Sequence, residues 1–125
     1  MKRFVLLAAL AAAVALPALA QKAEHHHHPR HGGVVVEGKE ADFELVARPD
    51  ALQLYLADHG KSIDLTEAAA KITLLSGSDK QEVVLRPAGD KLEAQGAFKV
   101  GAGTKAVAVV TQGARTLGTA RFTLK

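Results

Sequence analysis

Short apolar runs separated by turn residues follow one another from residue 34 to the end of the chain. The clearest run is residues 52–57, where Leu52, Leu54 and Leu56 alternate with less apolar neighbours. A period of two is typical of a strand with one buried face, because successive side chains point to opposite sides. The pattern predicts strands at residues 34–36, 41–47, 52–57, 71–76, 81–86, 91–95, 97–100, 105–111 and 115–124.

This spacing predicts an all-β domain. Seven to nine short strands at intervals of about 8 to 12 residues are typical of a sandwich or barrel. The connections are too short for parallel crossovers, so antiparallel pairing is favoured. Residues 63–70 are ambiguous: residues 66–70 could form one helical turn capped by Thr66, but such a turn is too short to be stable as an isolated helix. We predict a single antiparallel β-sandwich.

Residues 1–20 have the three-part pattern of a secretory signal peptide. Lys2 and Arg3 precede an apolar run over residues 4–16, and residues 18–20 place small side chains at the cleavage positions. The apolar run is about 13 residues long, whereas a membrane-crossing helix needs about 20. A retained membrane anchor is the alternative. We expect cleavage after Ala20 and no membrane-embedded part in the processed chain.

The charge balance argues against nucleic acid as a partner. The whole chain has a formal charge of +3, from 16 Lys and Arg against 13 Asp and Glu. Two of the basic residues and none of the acidic residues lie in residues 1–20, so the remainder carries about +1. This near-balance removes the main support for binding nucleic acid or an anionic membrane. The sequence has no cysteine, which excludes disulfides and lipid attachment at a lipobox cysteine.

Five of the six histidines lie between positions 25 and 31. The surrounding residues 21–33 contain no aliphatic side chain larger than alanine, so we predict that they form a flexible N-terminal arm. In an extended chain, alternate imidazoles of this run point the same way. Imidazoles without thiolates suit copper, nickel or zinc ions. The candidate ligands for a divalent transition metal are His25, His26, His27, His28 and His31.

The histidine run also fits two alternatives, a solvated linker that binds metal only incidentally and an engineered insertion. His59, in the turn at residues 58–61, is either a further metal ligand beside Asp58 or a solvent-exposed turn residue. Catalysis has no support, because there is neither a cysteine nucleophile nor a second core histidine to activate a serine. We predict that the protein is not an enzyme.

Three stretches resemble small periplasmic proteins of bacterial heavy-metal resistance systems. They are residues 31–35 (HGGVV), 43–50 (FELVARPD) and 54–61 (LYLADHGK), and the likeness continues through residues 85–89 and 101–109. Similar segments occur beside, or fused to, the periplasmic adaptor subunits of metal-efflux pumps of the resistance-nodulation-division type. More distantly, the chain is similar to copper-resistance proteins built as immunoglobulin-like β-sandwiches.

The resemblance implies a periplasmic module that binds or passes on copper, zinc, nickel or cobalt ions, with an efflux-pump adaptor as its partner. We therefore predict a signal peptide at residues 1–20, the N-terminal arm at 21–33 and an immunoglobulin-like sandwich at 34–125. The predicted function is periplasmic binding of a divalent transition metal, buffering it or delivering it to an efflux system. The alternative is a non-enzymatic interaction module that docks on a membrane or efflux partner, the histidine run being incidental.

Overall fold

The computed structural model describes residues 29–125, which form nine β-strands and no helix. The predicted all-β class is therefore confirmed for this part of the chain. No helix within these residues has the length and apolarity that crossing a membrane requires. The strands are β1 (Val34–Glu37), β2 (Asp42–Arg48), β3 (Ala51–Asp58), β4 (Lys61–Ser62), β5 (Ala68–Ser76), β6 (Asp79–Ala88), β7 (Lys91–Gln95), β8 (Lys105–Gln112) and β9 (Arg115–Thr123).

Every strand pair is antiparallel, in the order β1-β2-β3-β7-β6-β5-β8-β9, and β4 pairs with β3. Strand β6 belongs to both layers, because residues 79–85 pair with β5 and residues 86–88 pair with β7. The first sheet thus contains β1, β2, β3, β4 and β7, and the second contains β5, β8 and β9. The end strands β1 and β9 lie against each other. The strands thus form one antiparallel sheet that folds over into two facing layers and nearly closes, as in a β-sandwich or barrel.

The core lies between the two sheets and is aliphatic. In β3 the alternation is complete, with Leu52, Leu54 and Leu56 buried and the residues between them half-exposed. Burial of the inward-facing side chains of the longer strands supplies the hydrophobic stabilisation of a domain that has no disulfide. The largest fully buried side chains are Phe43, Leu45, Leu52, Leu54, Ile72, Leu74, Leu85, Leu92 and Val110.

The helical turn considered for residues 66–70 does not form. Asp64 rather than Thr66 organises this turn, because its Oδ1 accepts hydrogen bonds from the Thr66 backbone N–H at 2.9 Å and from the Thr66 hydroxyl at 2.7 Å. Glu67 then takes a positive φ of 61° and ends the turn. From Ala68 onward the chain belongs to β5, whose alternate alanines are buried.

Two further boundaries differ from the sequence pattern. Residues 97–100 form no strand. The Phe98 N–H donates to the Pro49 carbonyl at 2.8 Å, so this segment lies beside the turn between β2 and β3. Strand β6 continues through Pro87, which the pattern assigned to a turn. At Pro87 the strand pairs with β7 and has already left β5, so the N–H that proline lacks costs no ladder hydrogen bond.

Candidate functional site

The outer face of the first sheet carries a buried carboxylate. In β2, Phe43 and Leu45 point into the core, so Glu44 between them points to the opposite face. There it lies between Val35 of β1 and Tyr55 of β3, its direct partners in the strand register. A glutamate on an outer face is normally solvated, yet only 9% of this side chain is exposed. The residues that precede β1 cover it.

Glu44 holds those residues by four hydrogen bonds. Its Oε2 accepts from the backbone N–H of His31 at 2.8 Å and of Gly33 at 2.9 Å. Its Oε1 accepts from the backbone N–H of Arg30 at 3.2 Å and lies 2.8 Å from His31 Nδ1. A buried carboxylate is tolerated when its oxygens are satisfied in this way. The last residues of the predicted flexible arm, 30–33, therefore lie on the domain and not away from it.

The His31 imidazole is packed as well as hydrogen-bonded. Its ring lies parallel to the Tyr55 ring, with 3.5 Å between centroids and 4° between planes. The Lys91 ammonium lies 6.0 Å from the centre of the same tyrosine ring. The imidazole is thus held by an oxygen at its Nδ1 edge and an aromatic surface against its plane, while 37% of the side chain stays exposed. We call His31, Glu44 and Tyr55 the His31 site.

A groove of about 490 Å³ runs along this site. Its lining includes Arg30 and His31 from the segment before β1, Gly60 from the β3–β4 turn and Ser62 from β4. Three of the lining residues carry carboxyl groups, and Arg30 is basic. The acidic lining residues are Asp42, Glu44 and Asp90.

The pKa of Glu44 is shifted by opposing effects. Burial raises it, and the hydrogen bonds from the His31 ring and from the backbone N–H groups of Gly33, His31 and Arg30 more than offset that effect, so the pKa is lowered. A carboxyl with a lowered folded-state pKa stabilises the structure above its unfolded pKa. That stabilisation is lost as the pH falls through the folded value.

We expect NMR titration of the Glu44 side-chain carboxyl to give a pKa below the ordinary glutamate range. Replacing His31 by alanine should raise that pKa, because it removes the hydrogen bond that lowers it most. A Glu44 pKa within or above the ordinary glutamate range contradicts the hydrogen-bond set described here.

Of the six predicted metal ligands, two lie within the described residues. His25, His26, His27 and His28 lie outside the described residues, as do residues 1–20. His31 is part of the site above. His59 is at the β3–β4 turn with a positive φ of 50°, and its Nε2 is 3.8 Å from Asp58 Oδ1. Its side chain is 68% exposed. Within residues 29–125, no three His, Asp or Glu side chains are grouped so as to hold a metal ion.

Sequence reasoning did not single out Glu44 or Tyr55. Both lie on the polar side of an alternating strand, where a charged or hydroxylated side chain is common. The only sequence signal was that both occur in the segments that carry the family resemblance. Their cooperation depends on the register of β2 against β3, which pairs them directly.

Comparisons with known proteins add little to this description. No protein-family model matches the chain, and no curated protein matches it. A solved structure described as a Br derivative of BhCBM56 is similar over 73% of this chain and 99% of its own, with 11% identity and a TM-score of 0.43. A likeness of this strength carries no inference about what the present chain binds.

Proposed function

We propose that this protein binds divalent transition-metal ions in the periplasm and buffers them or delivers them to a heavy-metal efflux system. The ligands are the imidazoles of His25, His26, His27 and His28 together with His31, and the metal is copper, zinc, nickel or cobalt. The observation that carries the proposal is the placement of His31. The sandwich holds this imidazole at its surface through Glu44 and Tyr55, three residues after the histidine run.

This arrangement combines a pre-positioned ligand with a tethered supply of further ligands. His31 is ordered before metal arrives, so its ordering costs nothing at the moment of binding. The other imidazoles are linked to it by a short peptide, which keeps their effective concentration high. Metal binding should weaken below about pH 6, where protons compete for the ring nitrogens.

His59 stays a candidate additional ligand. Its neighbour Gly60 lines the same groove as His31, so the β3–β4 turn borders the proposed site. The turn is exposed, and Asp58 is next to the imidazole. A metal held between the N-terminal arm and this turn would use His59, whereas a metal held by the arm alone would not.

Isothermal titration calorimetry with Zn²⁺, Ni²⁺ and Cu²⁺ on the chain beginning at Gln21 tests the proposal. Alanine at all four positions of the run, 25–28, should weaken the tightest binding by at least about tenfold, because the tethered ligands are lost. His31→Ala should also weaken it, since the anchored ligand is removed. His59→Ala shows whether the β3–β4 turn contributes a further ligand.

Two results would contradict the proposal. The first is equal affinity in the parent and in the variant with alanine at residues 25–28, which would place any metal site on the folded domain. The second is binding no tighter than micromolar in every protein tested. In that case the interaction-module alternative gains, and pull-down with purified efflux adaptor subunits becomes the informative experiment.

A further inference from the structure

From the hydrogen bonds of the His31 site we infer that Glu44 is a positioning residue that makes Nε2 the metal-binding nitrogen of His31. This inference rests on the proposed function and goes beyond it, because it names a residue outside the N-terminal arm and a particular ligand atom. Its physical basis is the direction of the hydrogen bonds around one carboxylate. Three steps lead from those bonds to the ligand atom.

The first step is the role of Glu44 as an acceptor. Three backbone N–H groups, those of Arg30, His31 and Gly33, point at its two oxygens. A backbone N–H can only donate, so both oxygens accept. A carboxyl group whose two oxygens both accept hydrogen bonds is ionised and has no proton to donate. The contact of 2.8 Å between Glu44 Oε1 and His31 Nδ1 is therefore donated by the imidazole.

The second step is the tautomer of His31. A neutral imidazole carries one proton, and a carboxylate acceptor at Nδ1 keeps that proton there. The lone pair available for a metal ion is then the one on Nε2. Without Glu44, no acceptor holds the proton on Nδ1, so it exchanges between the two nitrogens and Nε2 is no longer reserved for a metal ion.

The third step is the orientation of the ring. Tyr55 stacks on the imidazole with 3.5 Å between centroids, which fixes the plane in which the Nε2 lone pair lies. Glu44 and Tyr55 are direct neighbours on β2 and β3, so the sheet holds both contacts in one rigid frame. A carboxylate that accepts from the remote nitrogen of a ligating histidine also raises the basicity of the ligand. Loss of such a partner typically weakens metal binding by about 10- to 100-fold.

Two measurements test the inference. Long-range ¹H–¹⁵N correlation spectra of the metal-free chain beginning at Gln21 should show the neutral His31 proton on Nδ1 in the parent. They should show a shift toward the other tautomer in Glu44→Ala. Zn²⁺ titration should give about tenfold weaker binding for Glu44→Ala. Glu82→Ala, the matched removal of an exposed carboxylate on the second sheet, should leave both readouts unchanged.

A double-mutant cycle distinguishes an effect of Glu44 on the His31 imidazole from a general loss of structure. When His31 is already alanine, adding Glu44→Ala should cost no further Zn²⁺ affinity, because its effect passes through that imidazole. Glu44→Gln, which keeps one acceptor oxygen in a side chain of the same shape, should lie between the parent and Glu44→Ala. If Glu44→Ala does not fold, Glu44→Gln takes its place in the double-mutant cycle.

The outcomes distinguish this inference from the proposed function. Absence of Zn²⁺, Ni²⁺ and Cu²⁺ binding by the parent overturns both. Binding by the parent with unchanged affinity in the Glu44 variants overturns the inference alone, as does an equal loss in the His31→Ala background. A parent His31 proton on Nε2 also overturns the inference, and it leaves metal binding by the N-terminal arm intact.

Discussion

Replacement of Phe43 by alanine should lower the free energy of unfolding by about 3–5 kcal/mol, the usual cost of removing a buried aromatic ring. The Phe43 side chain is 1% exposed. Its ring lies over Gly38 and Gly118, where an added Cβ would come within 3.1 and 3.3 Å of ring carbons. Because Gly118 belongs to β9 of the second sheet, the ring ties the two layers together, and its removal leaves a cavity between them.

Urea unfolding measures this loss. Val84→Ala is the matched control, because Val84 is 46% exposed on the outer face of β6 and its truncation should change stability by no more than about 0.5 kcal/mol. For a domain of this size the Phe43→Ala variant should melt at least about 12 °C below the parent. A loss under about 1 kcal/mol would mean that the core at this position closes over the missing ring.

Gly33→Ala should cost about 3 kcal/mol, at the upper end of the usual penalty for overpacking. Gly33 lies so close to β2 that an added Cβ would overlap the carbonyl oxygen of Leu45 and lie 2.8 Å from its carbonyl carbon. Both are backbone atoms and cannot rotate away. The start of β1 must therefore move, and the Gly33 N–H then loses the Glu44 oxygen that it donates to.

Gly33→Ala should also separate His31 from the Glu44 and Tyr55 side chains of the sheet. Since residues 30–33 move together, the stacking of His31 on Tyr55 should be lost, and the tyrosine ring protons should shift toward free-tyrosine values in NMR spectra. Gly101→Ala is the control, because a Cβ there meets open space and its backbone has no positive φ. Parent-like stability and tyrosine shifts in Gly33→Ala would show that the close approach to Leu45 does not determine how this segment is held.

Prediction from the sequence succeeded where a strand has two different faces. Residues 52–57 alternate cleanly, and β3 covers them with one added residue at each side. The pattern was ambiguous at residues 66–70, where three small alanines reveal no period, and wrong at residues 97–100, where Phe98 and Val100 alternate but form no strand. At both places the outcome depends on hydrogen bonds that the pattern does not encode, such as the one from Phe98 N–H to Pro49.

The candidate site was predicted only in part, for a related reason. A run of histidines is visible in composition, so His31 stood out with its neighbours as a potential ligand. Nothing local distinguishes its environment from that of His59, yet one is stacked and hydrogen-bonded and the other is a largely exposed turn residue. Glu44 is 13 positions from His31, and its role depends on a contact between segments that are separate in the sequence.

By itself, the amino-acid sequence determined the all-β class, most strand positions and the histidine-rich composition of residues 25–31, because alternation and composition are local properties of the chain. Only the tertiary structure decided which polar side chains meet. The pairing of β2 with β3 places Glu44 beside Tyr55, and the return of residues 30–33 over that pair buries the carboxylate. Strand register and the satisfaction of buried hydrogen-bonding groups are collective properties of the folded chain, so they could not be derived from any one segment.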